Sequence, residues 1–466
     1  MLDYRSFALN KLSRLSTRYL PFADVASDDV PMTRLLRLSL FQVTVGMALV
    51  LLVGTLNRVM IVELGVSAAL VSVMIALPIL FAPLRALIGF KSDTHSSALG
   101  LRRFPYIYRG TLLQFGGFAI MPFALLVLSG YGEAIDAPRW IGLSSAALSF
   151  LLVGAGVHMV QTVGLTLATD LVPQEDQPKV VGLMYVMLLV GMIGSAFIFG
   201  ALLEKYSPGR LIQVIQGAAV LTVLLNAFSV WKQEVRGRHV QAVAAPPFSV
   251  AWERFANRAG AKRLLAVIAL GTFAFGIADV IIEPYGGQVL RMSVAATTKL
   301  TATLALGTLF GLAVASRVLG RGGSPTRMCL MGALVGIPGY IAIILASPLD
   351  WLALFVAGTF ATGVGAGLFG HGTLTATMRS APDSQTGLAL GAWGAVQATA
   401  AGAGVALGGV IRDLMLQLQG DHQFTPSMAY LPVFSMQILF LAFALIAVLP
   451  LLRLPPTQTD NSAYFR

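Results

Sequence analysis

Twelve apolar segments, each long enough to cross a lipid bilayer, dominate this chain of 466 residues. A spanning helix needs about 20 predominantly apolar residues, because the hydrocarbon core is about 30 Å thick and each helical residue rises about 1.5 Å. The predicted segments are 38–62, 66–90, 106–130, 140–169, 180–203, 210–231, 264–288, 294–318, 326–347, 350–377, 387–411 and 428–452. The sequence therefore predicts an all-α membrane protein.

Charged residues make up only 11% of the chain, compared with roughly 25% in a typical soluble domain. Lipid must therefore contact much of the exterior. The formal net charge is +11, but no basic stretch carries a nucleic-acid-binding motif. Basic residues collect in cytoplasmic loops of membrane proteins, so we expect membrane lipids, and not nucleic acid, beside these charges.

Lysines and arginines divide unequally between the two ends of the segments. With the N-terminus inside, 24 lie on the cytoplasmic side and six on the other, while Arg58 and Arg85 lie within segments. This asymmetry predicts that both termini are cytoplasmic.

A polar, basic stretch in the middle of the chain predicts a cytoplasmic linker between two six-helix halves. At the N-terminus, apolar residues recur at helical spacing among basic ones, which predicts an amphipathic interfacial segment; a disordered basic tail is the alternative. The predicted division is an N-terminal segment 1–35, a first half 36–231, a linker 232–263, a second half 264–453 and a cytoplasmic tail 454–466.

An internal repeat relates the two halves. The fourth segment ends in Gly-Leu-Thr-Leu-Ala-Thr at 164–169, and the tenth ends in Gly-Thr-Leu-Thr-Ala-Thr at 372–377. Two parallel six-helix repeats, related by pseudo-symmetry, are the plan of the major-facilitator fold. The loop after the second segment resembles the signature loop of that superfamily, with the spacing between its acid and its basic pair stretched. The residues concerned are Arg85, Gly89, Asp93, Arg102 and Arg103.

Ionisable residues within the segments are candidates for function, because charges inside a membrane are costly and usually face a cavity or a partner. Asp279 and Glu283 are four residues apart and so share one helix face, and Asn57, Arg58 and Glu63 lie at similar depth in the first segment. We hypothesise that Arg58 pairs with Asp279 or Glu283 and closes the periplasmic side. The alternative is simple contact with water or headgroups.

Two histidines also lie inside predicted segments. His158, with Gln161 on the same face, lies near the middle of the fourth segment, and His371 lies in the tenth. Each imidazole could be an axial ligand to a tetrapyrrole metal, a proton carrier or a hydrogen-bonded packing residue, the last being commonest. The tenth and eleventh segments are dense in glycine and alanine, which favours close helix packing, although a flat ligand could also fit there.

Several stretches together resemble one branch of the superfamily, the bacteriochlorophyll-delivery proteins of purple phototrophic bacteria, of the PucC/LhaA type. These stretches run from Gly54 to Leu64, from Arg85 to His95, from Arg103 to Tyr106, from Gly110 to Gly117 and from Asp279 to Gly287. The resemblance covers approximately residues 18–450. It implies a multi-pass protein of the bacterial inner, intracytoplasmic photosynthetic membrane.

The resemblance implies a non-enzymatic factor that delivers bacteriochlorophyll to light-harvesting antenna polypeptides, or holds pigment and polypeptide together during assembly. Late pigment-biosynthesis enzymes are further possible partners. His158, Gln161 and His371 could then serve as weak magnesium ligands. Two alternatives stay open: an ion-coupled transporter of a small amphipathic or tetrapyrrole solute that uses Asp279 and Glu283, and a structural scaffold that binds no pigment.

Overall fold

The computed structural model describes residues 30–78, 88, 92, 101–130, 134, 136–173, 176–234, 257, 260–380, 386–419 and 426–453. Every regular element in these residues is helical. The long elements are α1 (Met32–Glu63), α2 (Ala68–Ala76), α3 (Phe104–Ser129), α4 (Arg139–Thr169), α5 (Gln177–Leu202), α6 (Pro208–Val230), α7 (Ala261–Gln288), α8 (Val294–Gly320), α9 (Pro325–Ala346), α10 (Leu352–Ser380), α11 (Thr386–Gln419) and α12 (Ser427–Val448).

Eleven of the helices that the structure describes are long and apolar enough to cross a membrane. The second predicted segment begins as α2, and its later part lies outside the described residues. The all-α membrane fold predicted from the sequence is confirmed. The amphipathic segment at the N-terminus, most of the linker and the C-terminal tail fall largely outside the described residues, so they stay predictions, as does the cytoplasmic position of the termini.

The chain forms two compact units. The first comprises the described residues of Met1–Val240, Asp279–Leu306 and Val405–Tyr430. The second comprises those of Gln241–Ala278, Gly307–Gly404 and Leu431–Arg466.

A buried hydrogen-bond network connects three helices in the first unit. The Asn226 side chain of α6 accepts a bond from the Thr44 hydroxyl of α1 at 2.8 Å and donates one to Thr111 of α3 at 3.0 Å. All three residues are buried, and Asn226 is 1% exposed. Because an unsatisfied polar group in the interior is costly, these bonds fix the register of α1, α3 and α6.

Glycines let α9 and α10 of the second unit pack backbone against backbone. A Cβ built on Gly365 would lie 2.7 Å from the carbonyl oxygen of Gly332, and the reverse distance is also 2.7 Å. Gly367 meets the backbone of α8 in the same way, and Gly404 of α11 meets that of α7 at Phe273. The packing interpretation is therefore confirmed at these positions, whereas a Cβ on Gly370 or Gly394 would meet nothing within 4 Å.

Most predicted helix boundaries lie within four residues of the observed ones, and two differ by more. Helix α1 begins at Met32, six residues before the predicted start, because Leu35 and Leu38 are fully buried in the core of the first unit. Helix α11 was predicted to end at 411 and continues to Gln419. The charges of Arg412 and Asp413 lower the hydropathy there, but they pair with each other and so do not end the helix.

Candidate functional site

The C-terminal part of α1 departs from ordinary α-helix geometry. Val50–Leu56 and Val59–Glu63 are π-helical, and the Leu64 N–H donates to the Val59 carbonyl, five residues back, at 3.0 Å. Residues five apart lie about 140° apart around an α-helix, whereas a bond between i and i+5 brings them to the same face. Such π-helical turns are frequent at functional sites. Here the local geometry turns Arg58 and Glu63 toward each other.

Arg58 is held by two partners at this end of α1. Its Nη1 forms an ion pair and hydrogen bond with Glu63 Oε1. Its Nη2 donates to the backbone carbonyl of Met292, just before α8, at 3.2 Å. The arginine is 3% exposed. The carboxylate that neutralises this buried cation, among the described side chains, therefore comes from α1 itself.

The neighbouring residues of α1 contact α7 and α8. The Asn57 side-chain amide donates to the Val280 carbonyl of α7 at 2.9 Å, and the Thr55 and Thr298 hydroxyls are hydrogen-bonded at 3.3 Å. Glu283, 3% exposed, accepts a hydrogen bond from the Thr301 hydroxyl of α8. We call Asn57, Arg58, Glu63, Glu283 and Thr301 the α1 polar cluster.

The hypothesis that Arg58 pairs with an acid of α7 is only partly addressed by this geometry. The structure brings Glu283 into the same cluster but gives Arg58 a different ion-pair partner, Glu63. The side chain of Asp279 lies outside the described residues, so its part of the hypothesis stays a prediction. Depth along the sequence places Glu63 at the level of Arg58 but does not predict their pairing, because α-helical spacing puts them on different faces.

A second set of hydrogen-bonded polar residues, which the sequence did not predict, lies in the same unit. Gln288 Oε1 accepts hydrogen bonds from Arg412 and from the Tyr430 hydroxyl, both at 2.5 Å. Arg412 also pairs with Asp413, whose other carboxylate oxygen accepts the Ala69 backbone N–H of α2 at 2.7 Å. The adjacent opposite charges of Arg412 and Asp413, at the end of an apolar segment, were the available signal. Four helices thus meet through one continuous set of bonds.

Two charged residues of the α1 polar cluster, Glu63 and Arg58, influence the pKa of Tyr206, which lies in the turn between α5 and α6. Burial, helped by the nearby Glu63 carboxylate and opposed by Arg58, raises the pKa of its hydroxyl to about 12. A phenol with this pKa is neutral throughout the physiological range. Tyr206 therefore contributes a neutral hydroxyl beside the ion pair.

The predicted pigment ligands lie in different units. His158 and Gln161 are half-buried on α4 in the first unit, where the Gln161 amide donates to Gln42 of α1 at 3.5 Å. His371 is half-buried on α10 in the second unit. Their role as magnesium ligands stays a prediction.

The second unit contains an open apolar groove of about 450 Å³ between α7, α11 and α12. Ala395, Thr399 and Ala403 form its floor, since they recur every four residues on α11 and are all exposed. Phe273 and Phe440 form an aromatic wall, with ring centroids 4.5 Å apart. The remaining described lining residues are Ala269, Leu270, Val396 and Ala400, so among the described residues the Thr399 hydroxyl is the one polar side-chain group of the lining.

The signature loop is only partly described. Arg85, Gly89 and Asp93 lie outside the described residues. Arg103 is 3% exposed, pairs with Asp170 at the end of α4 at 3.1 Å and donates to the Ser92 hydroxyl at 2.6 Å. This loop therefore ties the start of α3 to the end of α4.

The Glu234 carboxylate, just beyond α6, caps the N-terminus of α3. It accepts three backbone N–H bonds, from Arg102 at 2.5 Å, Arg103 at 2.8 Å and Phe104 at 2.9 Å. The first N–H groups of a helix have no partner within the helix, and the helix dipole favours an anion there. Arg102 thus contributes to this cap through its backbone N–H.

In the second half, Arg379 at the end of α10 donates to the carbonyls of Gly323 and Leu319 at 3.1 and 3.2 Å. The sequence lacks an acid in the loop after α8, and the structure shows that the arginine bonds backbone carbonyls at that end instead. The two halves therefore secure corresponding helix ends by different chemistry.

Several solved structures named as transporters or transporter homologues share this architecture. The chain superimposes on a bacterial homologue of the human lysosomal transporter Spinster, inward-facing and unoccupied, with a TM-score of 0.63 at 16% identity, over 90% of this chain and 94% of that one. The nucleoside transporter NupG superimposes with a TM-score of 0.65 at 15% identity, over 89% of this chain and 99% of that one. The xylose transporter XylE from E. coli superimposes with a TM-score of 0.64 at 12% identity, over 92% of this chain and 97% of that one. The protein has the major-facilitator fold, and identities this low show the fold alone.

Closer relatives identify the branch. The family model described as PUCC protein matches residues 55–455. Protein PucC of Rhodobacter capsulatus is 63% identical over 97% of this chain and 99% of its own length, and Protein PucC of Rhodovulum sulfidophilum is 64% identical over 87% and 90%. A protein of R. capsulatus named bacteriochlorophyll synthase 44.5 kDa chain is 28% identical over 89% and 94%. The chain belongs to the PucC family and is a multi-pass membrane protein.

Proposed function

We propose that this protein handles bacteriochlorophyll within the photosynthetic membrane of a purple bacterium and presents it to light-harvesting antenna polypeptides during assembly. Family membership supports this proposal, because PucC relatives come from purple bacteria and a more distant relative is named after bacteriochlorophyll synthesis. The proposed action is non-enzymatic: the protein binds and positions pigment and polypeptide. Late pigment-biosynthesis enzymes are proposed as further partners.

The open apolar groove of the second unit is the single structural observation that supports pigment handling. Its small-residue floor leaves room along α11, and the ring pair of Phe273 and Phe440 offers an aromatic surface. Burying apolar surface is favourable at about 25 cal/mol per Å², and nearly all of this lining is apolar. A flat, mostly apolar macrocycle suits such a groove better than a sugar or a charged solute does.

The axial ligand of the pigment magnesium is assigned only as a proposal. His371 lies in the same unit as the groove but does not line it. His158 and Gln161 lie in the other unit. The Thr399 hydroxyl, or a water molecule, is therefore the proposed oxygen ligand in the groove. Substitution of each histidine with alanine tests the histidines as ligands separately.

The experiment compares pigment content in three proteins purified in mild detergent from a pigment-producing host. They are the wild type, Ala403→Leu, which adds bulk to the groove floor, and Ala201→Leu, which adds the same bulk at an exposed position of α5. We expect a stoichiometric pigment band in the wild type and Ala201→Leu, and its loss in Ala403→Leu. Wild-type protein without pigment would refute pigment handling; equal pigment in all three would move the site elsewhere.

An ion-coupled transporter is the competing function, and it predicts a different experimental result. Transport requires net movement of a solute across the membrane, whereas an assembly factor should keep its association with antenna polypeptides after the proton gradient has been collapsed. Co-purification of tagged protein with antenna polypeptides, before and after addition of an uncoupler, separates the two. Solute flux in proteoliposomes without any antenna association would favour the transporter.

A further inference from the structure

Glu283 is a buried carboxyl group with few bonding partners. It is 3% exposed, its Oε1 accepts the Thr301 hydroxyl, and its Oε2 has no hydrogen-bond partner among the described residues. Gly54 of α1 covers it closely: a Cβ built there would lie 2.6 Å from Glu283 Oε1 and 2.8 Å from Thr301 Oγ1. The glycine therefore allows α1 and α8 to enclose the carboxyl group.

The charged groups nearby make their direct bonds to other residues, and only Arg58 acts on Glu283 electrostatically among the described side chains. Arg58 on α1 is paired with Glu63, and its Nε lies beside Gly287, one turn beyond Glu283 on α7. On α8 the side chain of Lys299 extends over Gly200 of α5. Asp279, one turn earlier on α7, has a side chain outside the described residues, and Tyr206 carries a neutral hydroxyl.

An ionised carboxylate at Glu283 would destabilise the arrangement in which α1 and α8 enclose it. Burying an ionised carboxylate without a cationic partner costs several kcal/mol, whereas a neutral acid needs only ordinary hydrogen bonds. One hydroxyl donor and one unbonded oxygen do not replace the hydration that the anion would lose. The enclosure by Gly54 and Thr301 therefore fits the neutral form of Glu283 better than the anion.

We propose that Glu283 is a proton-binding site, occupied while α1, α7 and α8 are packed together around it and emptied to water when they separate. The proton stays on the carboxyl group in the packed state and leaves to solvent in the open state. Because binding couples to the two states reciprocally, added protons favour the packed state and alkaline conditions favour separation. This role is independent of pigment binding in the groove.

Infrared difference spectroscopy can detect the proton directly, since a protonated carboxyl group has a carbonyl-stretch band that a carboxylate lacks. We expect this band in the wild type at neutral pH and its loss in Glu283→Gln. In Thr301→Val the acid is retained without its hydroxyl donor, so the band should persist at a higher frequency. An acid band unchanged by both substitutions would overturn the proposal.

A labelling measurement tests the coupling to helix separation. In a Cys329→Ala background, Thr298→Cys is the reporter, because Thr298 is fully buried opposite Thr55. Gly209→Cys is the control, since a side chain there meets nothing within 4 Å. The ratio of reporter to control labelling by an impermeant maleimide should rise severalfold from mildly acidic to mildly alkaline pH. In Glu283→Gln it should stay low throughout; a pH-independent ratio in the protein with Glu283 intact would refute the coupling.

Discussion

Substituting Gly365 with alanine tests how strongly the seam between α9 and α10 depends on backbone contact. The added Cβ would lie 2.7 Å from the Gly332 carbonyl oxygen and 2.9 Å from the Gly336 nitrogen, both of them backbone atoms that cannot rotate away. Ordinary van der Waals contact begins near 3.4 Å. The two helices must therefore separate by roughly 0.5–0.7 Å, a gap that forfeits at least about a quarter of each dispersion contact along the seam.

The expected cost follows from the number of contacts involved. An atom pair at optimal separation contributes about 0.1–0.2 kcal/mol, and a seam with about as many contacts as one large buried side chain would lose about 2 kcal/mol. This falls within the 1–3 kcal/mol typical of overpacked cores. In a membrane, where helix association depends mainly on such packing, no hydrophobic gain offsets the loss.

Gly370→Ala is the matched control on the same helix. Its Cβ would meet nothing within 4 Å, and alanine favours a helix over glycine by about 1 kcal/mol. The free energies of unfolding of both variants can be measured by titration with a denaturing detergent in mixed micelles. The gain in helix propensity is common to both variants, so we expect Gly365→Ala to be less stable than Gly370→Ala by about 2 kcal/mol, and Gly370→Ala to be equal to the wild type or more stable. Equal stability of the two variants would refute the backbone-contact argument.

Three further predictions use the same unfolding measurement or a spectroscopic one. Glu234→Ala should cost about 1 kcal/mol, because three N–H groups at the start of α3 lose their acceptor, while Glu234→Gln should recover part of the loss. Asn226→Leu should cost about 1 kcal/mol, since it removes the side-chain bonds to Thr44 and Thr111, whose hydroxyls keep only backbone carbonyls of their own helices as partners; a cost within error of zero would contradict the network. Tyr206 should ionise only near pH 12, so any stability tied to its neutral form is complete below about pH 10 and is lost as the pH rises toward 12. Tyrosinate absorbance of the wild type minus Tyr206→Phe measures this, and Glu63→Gln should move the transition to lower pH.

Hydropathy located the helices well because a membrane span must be long and apolar, whatever its neighbours are. It failed where charges are neutralised by contacts that sequence alone does not reveal. Arg412 and Asp413 look like the end of a segment, yet their mutual pairing and the bonds to Gln288 and Ala69 allow α11 to continue. Apolar content alone therefore underestimates the length of a helix whose polar residues find partners within the protein.

The candidate sites were predicted less completely, for a related reason. Depth along the helix correctly grouped Arg58, Glu63 and Glu283 at one level, but the pairing of Arg58 depends on a π-helical turn that α-helical periodicity cannot predict. The groove depends on which face of α11 is left uncovered. Its four-residue spacing of small residues was visible in the sequence, but only tertiary packing shows that Ala395 and Ala403 remain exposed.

The π-helical turn at Val59–Glu63 also makes α1 unusually sensitive to chain length. Each residue advances an α-helix by about 100°, and a π-helical turn accommodates one residue more than an α-helical turn does. Inserting a single residue between Arg58 and Glu63 would place them six apart, a spacing that neither kind of turn brings to one face, although every original side chain would be unchanged. In this short stretch the number of residues carries information that their identities do not.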